Sequence, residues 1–349
     1  MKKHFVNFAV ILFGITFFSF SYCQAQSKAD KSPLAVAVRN GDVATVKSLL
    51  NNGVNPNLTD DQETPLALST SLESDEIFNL LVNTKGIKID APSTYIRTGN
   101  GSKYTSTPLI SAVRALKIER VRILLEKGAN PDIFDKNANQ DKSISWSLNA
   151  LMNAIMMNKP KGVEIAKLLV EKTKNIDIKA TLVKDGVTAL ILACQFPLYN
   201  EVSKMMIKKG AKLELPGTIS PAFTAVGTAI YGSNPEMVKY LIDAGAKLND
   251  KTDKAYMHLS YALGIENIKT IEILLDAGID PNTRFSSSKY PVINTCVKCK
   301  NPKVLELMIK RGADVNAKDG IGQSVLKYAN GGKKVKKNIA ILKAAGAVD

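Results

Sequence analysis

Thiols and imidazoles are the side chains that would first suggest chemistry, and this 349-residue sequence has few of them. There are two histidines, His4 and His258, and four cysteines, Cys23, Cys194, Cys296 and Cys299. A nucleophile needs a base beside it, and so few imidazoles leave little from which to build a histidine-dependent site. Cys296-Val-Lys-Cys299 is a C-x-x-C pair. Redox pairs of this kind belong to a βαβ setting, whereas Cys296 falls at a small, buried position of a helical pattern. Both cysteines are therefore read as packing residues, with a labile disulfide as the sharper alternative in an oxidising compartment. A metal would need more ligands than two thiols. His258 stands at a helix-opening turn and is read as a surface residue. Gly99-Asn-Gly-Ser-Lys103 lacks the spacing of a phosphate-binding loop and is read as a hairpin tip. The reading is of a non-enzyme: no catalytic, cofactor-binding or metal-binding residue is expected, and no cofactor.

The elements that position these residues begin after an address. Lys2 and Lys3 precede an apolar run from Phe5 to Phe20, too short for a membrane span of about 20 residues. Small residues at Cys23 and Ala25 fit a cleavage site after Ala25. Residues 1–25 are read as a signal peptide and 26–31 as a linker. A lipoprotein anchored through Cys23 is the alternative, opposed by the bulky Tyr22, and an uncleaved anchor is a second. No later stretch is apolar enough to span a bilayer, so the mature chain is expected without a membrane span, exported to a periplasm or secreted.

Charge bears on the partner. The net charge is +15, and removal of 1–25 takes two lysines and no acids, leaving +13. Lysine dominates, as in Lys208-Lys209 and Lys333-Lys334-Val-Lys336-Lys337. Lysine is a solvated point charge, whereas base-reading sites favour arginine forks. The surface is read as a solvated one suited to an acidic protein partner, with no nucleic acid.

From residue 32 the chain repeats itself. Gly followed by a short alternation recurs as Gly53-Val-Asn-Pro-Asn57, Gly86-Ile-Lys-Ile-Asp90, Gly128-Ala-Asn-Pro-Asp132, Gly210-Ala-Lys-Leu-Glu214, Gly245-Ala-Lys-Leu-Asn249, Gly278-Ile-Asp-Pro-Asn282 and Gly312-Ala-Asp-Val-Asn316, closing with Gly346-Ala-Val-Asp349. Successive glycines lie 33, 42, 82, 35, 33, 34 and 34 residues apart, the long gap holding a degenerate copy at Lys174-Asn-Ile-Asp177. A small residue (Ala37, Ser69, Ala112, Ala193, Ala229, Ala262, Cys296 or Ala329) stands 16 or 17 positions before each Gly. Thr64-Pro65 and Thr107-Pro108 are helix openings, with Thr as cap and Pro in the first turn. The small residue marks a close helix approach. The Gly ends a second, amphipathic helix in the left-handed conformation. One such unit cannot bury both helices alone, so units must stack.

These marks resemble the ankyrin-repeat family, and Gly312-Ala-Asp-Val-Asn-Ala-Lys-Asp-Gly-Ile-Gly322 is close to its consensus hairpin. Gly320-Ile-Gly322 is then the family's own finger turn. The resemblance implies an all-α fold: an ankyrin-repeat solenoid of helix-turn-helix units with extended hairpin fingers, about eight repeats plus a C-terminal capping unit over 32–349. The fourth unit, near 144–177, departs from the pattern in lacking Thr-Pro and the closing Gly. His258 stands where Pro is expected.

The resemblance further implies protein binding through finger tips and a concave face. Aromatic and arginine residues in the fingers are the natural anchors: Tyr95, Arg97, Tyr104, Phe134, Trp146, Phe223, Arg284, Phe285 and Tyr290. Local packing is the competing reading of each. The function read from the sequence is an exported, monomeric binding module. The alternatives are an immunity or inhibitor protein that occludes a toxin or hydrolase, and a thiol-redox protein using Cys296 and Cys299.

Overall fold

A computed structural model describes residues 32–58, 63–96, 103–137, 147–179, 186–214, 224–248, 253–330 and 336–349. The expectations for the signal peptide and linker, and for Arg97, Trp146 and Phe223, lie outside these residues. Among the described residues eighteen α-helices fall into nine consecutive pairs. The first four pairs are α1 (Pro33–Arg39) with α2 (Val43–Asn51), α3 (Pro65–Ser69) with α4 (Asp75–Val82), α5 (Pro108–Arg114) with α6 (Ile118–Glu126), and α7 (Ala150–Met156) with α8 (Pro160–Lys172). Then come α9 (Ala189–Cys194) with α10 (Asn200–Lys208), α11 (Ala225–Tyr231) with α12 (Pro235–Asp243), and α13 (Lys254–Ile265) with α14 (Ile268–Asp276). The last two are α15 (Ile293–Cys296) with α16 (Pro302–Lys310), and α17 (Val325–Asn330) with α18 (Lys336–Ala344). The fold is the expected all-α repeat solenoid, eight pairs and a terminal one.

The chain divides into two compact units, Met1–Ala189 and Leu190–Asp349. In the first, Leu34, Leu66, Leu109 and Leu151 take equivalent places two residues after the helix cap and are buried. They pack with second-helix residues such as Val46, Leu81, Leu124 and Leu169. In the second unit Leu190, Val226, Leu259, Ile293 and Leu326 repeat the pattern, with Val202, Leu241, Leu274 and Met308. Each buried aliphatic side chain contributes about 1.5–3 kcal/mol relative to exposure, and part of its shielding comes from the neighbouring repeat. The small residues are buried as expected, from Ala37 at 4% exposure to Ala329 at 1%. The tightest approach is one turn later, at Gly232, where a Cβ would lie 1.9 Å from the Gln195 carbonyl oxygen.

Local signals set the helix ends. Ser32, Thr64, Thr107, Asn149 and Thr224 each accept a hydrogen bond from the backbone N–H three residues on, at 2.9–3.3 Å. The eight finger glycines from Gly53 to Gly346 all have positive φ, between 75° and 93°. The turns within helix pairs are less dependent on glycine: Leu116, Asn158, Ser233 and Glu266 take φ of 45–60° there.

The last residue of six finger motifs does a job that the sequence pattern does not announce. Asn57, Asn282 and Asn316 each donate to the carbonyl of the next repeat's glycine (Gly86, Gly312 and Gly346) at 2.9–3.1 Å. Each also accepts from the N–H two residues beyond that glycine, at 2.7–2.8 Å. Asp90 and Glu214 use the accepting half of the same clamp, on the N–H of Asn130 and Lys247. The clamp explains how the fourth pair survives without its glycine. Thr173 closes α8 in an extended conformation, φ −62° and ψ 136°. Asp132 of the preceding finger then accepts from the Thr173 hydroxyl and from the backbone N–H of Lys174 and Asn175.

Two expectations need correction or refinement. His258 is not a surface turn residue: it is fully buried inside α13. With no Thr-Pro to start the helix at that point, α13 begins at Lys254 and runs for 12 residues. His258 Nε2 lies 3.3 Å from Thr224 Oγ1, the cap of the preceding repeat. The hairpin tip read at Gly99–Lys103 lies outside the described residues except for Lys103, and it is flanked by β1 (Ser93–Ile96) and β2 (Lys103–Ser106), paired antiparallel with Tyr95 opposite Tyr104. The next finger adds β3 (Lys136–Asn137) to β2, giving the order β1-β2-β3.

Candidate binding surface

The first helix of each pair places its fourth and seventh residues after the cap on one face, three positions apart. Two hydrogen bonds define how these rows meet. Arg114, seventh on α5, donates from Nε to Asn153 Oδ1, fourth on α7, at 3.1 Å. Lys298, seventh after Pro291 and just past α15, donates from Nζ to the hydroxyl of Tyr328, fourth on α17, at 2.6 Å. The seventh residue of one repeat therefore meets the fourth of the next, in both units.

In the first unit Arg114 on this face belongs to a charge network, and a second one forms around Arg120 of α6. Arg114 also pairs with Asp135, whose side chain is 3% exposed. Asp135 is fixed in turn by the Leu148 N–H. Burial pushes the Asp135 carboxyl above the usual range, against the opposing pull of Arg114. Glu63 precedes the α3 cap. Burial raises its carboxyl to about 7, with Arg39 and Arg114 pulling the other way. Arg120 on α6 is 2% exposed. It donates from Nη1 to the carbonyls of Ser69, Thr70 and Leu72 at 2.6–3.0 Å, pairs with Asp75 at 2.6 Å, and lies 5.5 Å from the centre of the Phe78 ring. It thereby supplies the donors that the C-terminus of α3 leaves wanting, with a charge that suits that end of the helix dipole.

In the second unit the same face is aromatic and basic. Tyr231 is seventh on α11, and Tyr261 on α13 stands directly before the small residue Ala262, as Asn153 does before Ala154 and Tyr328 before Ala329, so the two occupy the matching pair of positions, and both are half-buried. Lys298 is exposed and also sits 4.3 Å from the centre of the Tyr328 ring. Tyr290, on the finger before α15, meets Tyr328 edge-on at 5.6 Å. Phe285 on the same finger packs on Tyr256 at 5.4 Å. Burial raises the hydroxyls of Tyr256 and Tyr261 to about 12 and that of Tyr290 further, so all are neutral donors at physiological pH.

The sequence-predicted residues divide accordingly. Phe285, Tyr290 and Arg284 come together in one finger, where Arg284 donates to the carbonyls of Lys289, at 3.3 Å, and Lys318. Tyr104 is buried at 6% exposure and Phe134 is half-buried in the first unit's fingers. Tyr95 lies on β1, and nothing further is described of its side chain. Sequence reasoning missed Lys298, Tyr328, Tyr231 and Tyr261. The signal that finds them is the four-and-seven spacing on the first helix, not the finger.

Cys194, Cys296 and Cys299 are free and buried. Cys299 donates from Sγ to the Leu263 carbonyl at 3.3 Å. Burial drives Cys194 and Cys299 up to about 12 and Cys296 well above the ordinary thiol. Thiols so displaced carry almost no thiolate at neutral pH, and the thiolate is the reactive form. Among the described residues no three His, Cys, Asp or Glu side chains are grouped to hold a metal, and no helix is long and apolar enough to cross a membrane.

Comparison with known proteins agrees with this architecture. A family model described as ankyrin repeats in three copies matches residues 8–93, 34–135 and 225–319. An ankyrin repeat protein of fowlpox virus is 26% identical over 106 residues, 30% of this chain and 25% of its own length. The E3 ubiquitin-protein ligase KEG of Arabidopsis thaliana is 24% identical over 348 residues, 91% of this chain and 19% of its own. The chain thus spans about a fifth to a quarter of the length of these relatives. The crystal structure of the human ASB11 ankyrin repeat domain superposes with a TM-score of 0.55 at 17% identity, over 70% of this chain and 99% of that one, a likeness of fold.

Proposed function

This chain belongs to the ankyrin-repeat family, whose members generally act as protein-interaction modules, and we propose from that premise that it is an exported, monomeric binding module without covalent chemistry of its own. Export to a periplasm or beyond the cell rests on Lys2, Lys3 and the Phe5–Phe20 run. The partner is an acidic protein, in keeping with the net charge of +13 that remains after residues 1–25. The contact surface is the first-helix face of the second unit with its fingers. Tyr95, Arg97, Tyr104, Phe134, Trp146 and Phe223, the anchors read from the other fingers, are proposed as further contacts in their own right.

The observation that carries this reading is the half-buried row Tyr231, Tyr261, Tyr290 and Tyr328 beside exposed Lys298. Tyrosine supplies large contact area with few torsions to freeze, and half-buried rings are already held in place before a partner arrives. In the first unit the equivalent positions Arg114 and Asn153 are bonded to each other. The test is affinity capture from an envelope extract using the chain without residues 1–25. The expected result is one saturable protein partner that is lost with Tyr231→Ala/Tyr261→Ala and kept with Arg114→Ala. Retention by the tyrosine variant, or failure to find any saturable protein, overturns the reading.

A further inference from the structure

Four exposed cations cluster on the fingers and first helices of the last three repeats: Arg284, Lys289, Lys298 and Lys318. Hydrogen bonds and ring contacts join them into one patch. Arg284 ties the finger strands that carry Lys289 and Lys318 by donating to both their carbonyls. Gly320, two residues after Lys318, donates to the Ser288 carbonyl at 2.9 Å, locking the two fingers side by side. Tyr290 closes the first finger and meets Tyr328, on which Lys298 rests.

The carboxylates of this region are engaged elsewhere. Asp253 accepts from the Ser286 N–H and hydroxyl, both at 2.9 Å. Glu266 accepts from the N–H of Lys300 and Asn301, both at 2.8 Å. Asp319 accepts from the N–H of Ile321 and Gln323 at 3.0 and 2.9 Å. Among the described residues none of them forms an ion pair with the four cations. These three acids are held by backbone amides and one hydroxyl, and the four cations remain exposed.

We propose that this patch is a docking site for an acidic, extended protein segment, whose carboxylates engage Lys298, Lys318, Lys289 and Arg284 while its chain lies across Tyr290 and Tyr328. The proposal rests on the protein-binding reading above and assigns it a place and a partner chemistry. A protein segment suits the patch better than a nucleic acid. Lysines outnumber arginine three to one, giving point charges rather than the forks that read bases. The cations lie on a pre-ordered surface, so an incoming segment bears most of the ordering cost.

The test is fluorescence anisotropy of the chain from residue 26 onward with a labelled twelve-residue Asp/Glu peptide, in parallel with a labelled oligothymidylate of equal charge. Lys298→Glu/Lys318→Glu is expected to weaken peptide binding about tenfold or more. Lys127→Glu/Lys167→Glu, the same charge change at exposed lysines of the first unit, is expected to weaken it less than about threefold, because it leaves the four cations of the patch in place. Lys289→Glu, exposed and on a finger rather than a packed helix, gives a second variant whose melting curve should be unchanged. Equal losses in the two double variants would reduce the effect to net charge and overturn the proposal. Tighter binding of the oligothymidylate, lost in the same double variant, would overturn it in favour of nucleic acid. A chain that ignores the peptide yet keeps the partner found by affinity capture refutes acidic docking alone. Peptide binding without any captured partner would instead refute the wider reading.

Discussion

Arg114 in the first unit and Lys298 in the second occupy the same place in their repeats, and both reach the fourth residue of the next first helix. Their consequences differ because of what closes around them. Arg114 is 14% exposed at its side chain and meets the buried Asp135 as well as Asn153. Lys298 is exposed and rests on the tyrosine alone. A third partner and burial turn the slot into a staple between repeats, where removing one member leaves a charge stranded in a poor solvent. Their absence turns the same slot into display, where a charge costs little to keep and little to remove. A repeat position thus offers a geometry, and burial decides whether that geometry serves stability or recognition.

That contrast is sharpest for Arg120. Arg120→Ala strands three carbonyls and removes the charge beside Asp75. It should lower the stability of the first unit by about 3–4 kcal/mol, read as a shift of the urea midpoint in a probe confined to that unit. A loss below about 1 kcal/mol would mean that the inward-facing cations of this unit are ornamental. Asp132→Ala removes the acceptor that replaces the missing glycine cap and should cost about 1–2 kcal/mol. The loss should appear as faster amide exchange at Lys174 and Asn175, while exchange around Met257 in the second unit stays unchanged. Equal acceleration at both places would mean that the clamp supports the whole array rather than one finger.

Glu63 supplies a pH-dependent form of the comparison. Folded Glu63 keeps its proton up to about 7, whereas the unfolded carboxyl releases it near its ordinary value of 4.5. Between these values the folded chain binds more proton, so its stability falls as pH rises through the window and levels off above it. Glu63→Gln should flatten that part of the curve in thermal melts across the same window, and an unchanged slope would place the source elsewhere. At the small end, Lys298→Ala should shift stability by no more than about 0.5 kcal/mol while weakening partner retention. A larger loss would make it a staple like Arg114.

Most of the scaffold was legible from short-range signals. Thr64 and Thr107 cap their helices because cap and amide are three residues apart, and Gly53 through Gly346 take the left-handed conformation because a helix must end there. The candidate surface was less legible. Arg120 and Ser69 are 51 positions apart, and Asp132 and Thr173 are 41 apart, so no local window connects them. The finger aromatics Phe285 and Tyr290 were visible as a group. Their partners Tyr256 and Tyr328 belong to helices, where an aromatic reads as core. His258 was misplaced because the absent Thr-Pro was taken as a variant opening, whereas its physical effect is to let α13 start earlier and carry the imidazole into the interior.

The central claim is that binding belongs to the second unit's first-helix face, and site-specific photo-crosslinking tests it most directly. A photoreactive side chain is placed at Tyr261 or, in a second protein, at Ser71, the seventh position of the second repeat, and both are exposed to the native envelope. The account predicts a discrete protein adduct from Tyr261, competed by excess unlabelled chain, and none from Ser71. A competed adduct from Ser71 with none from Tyr261 would contradict it.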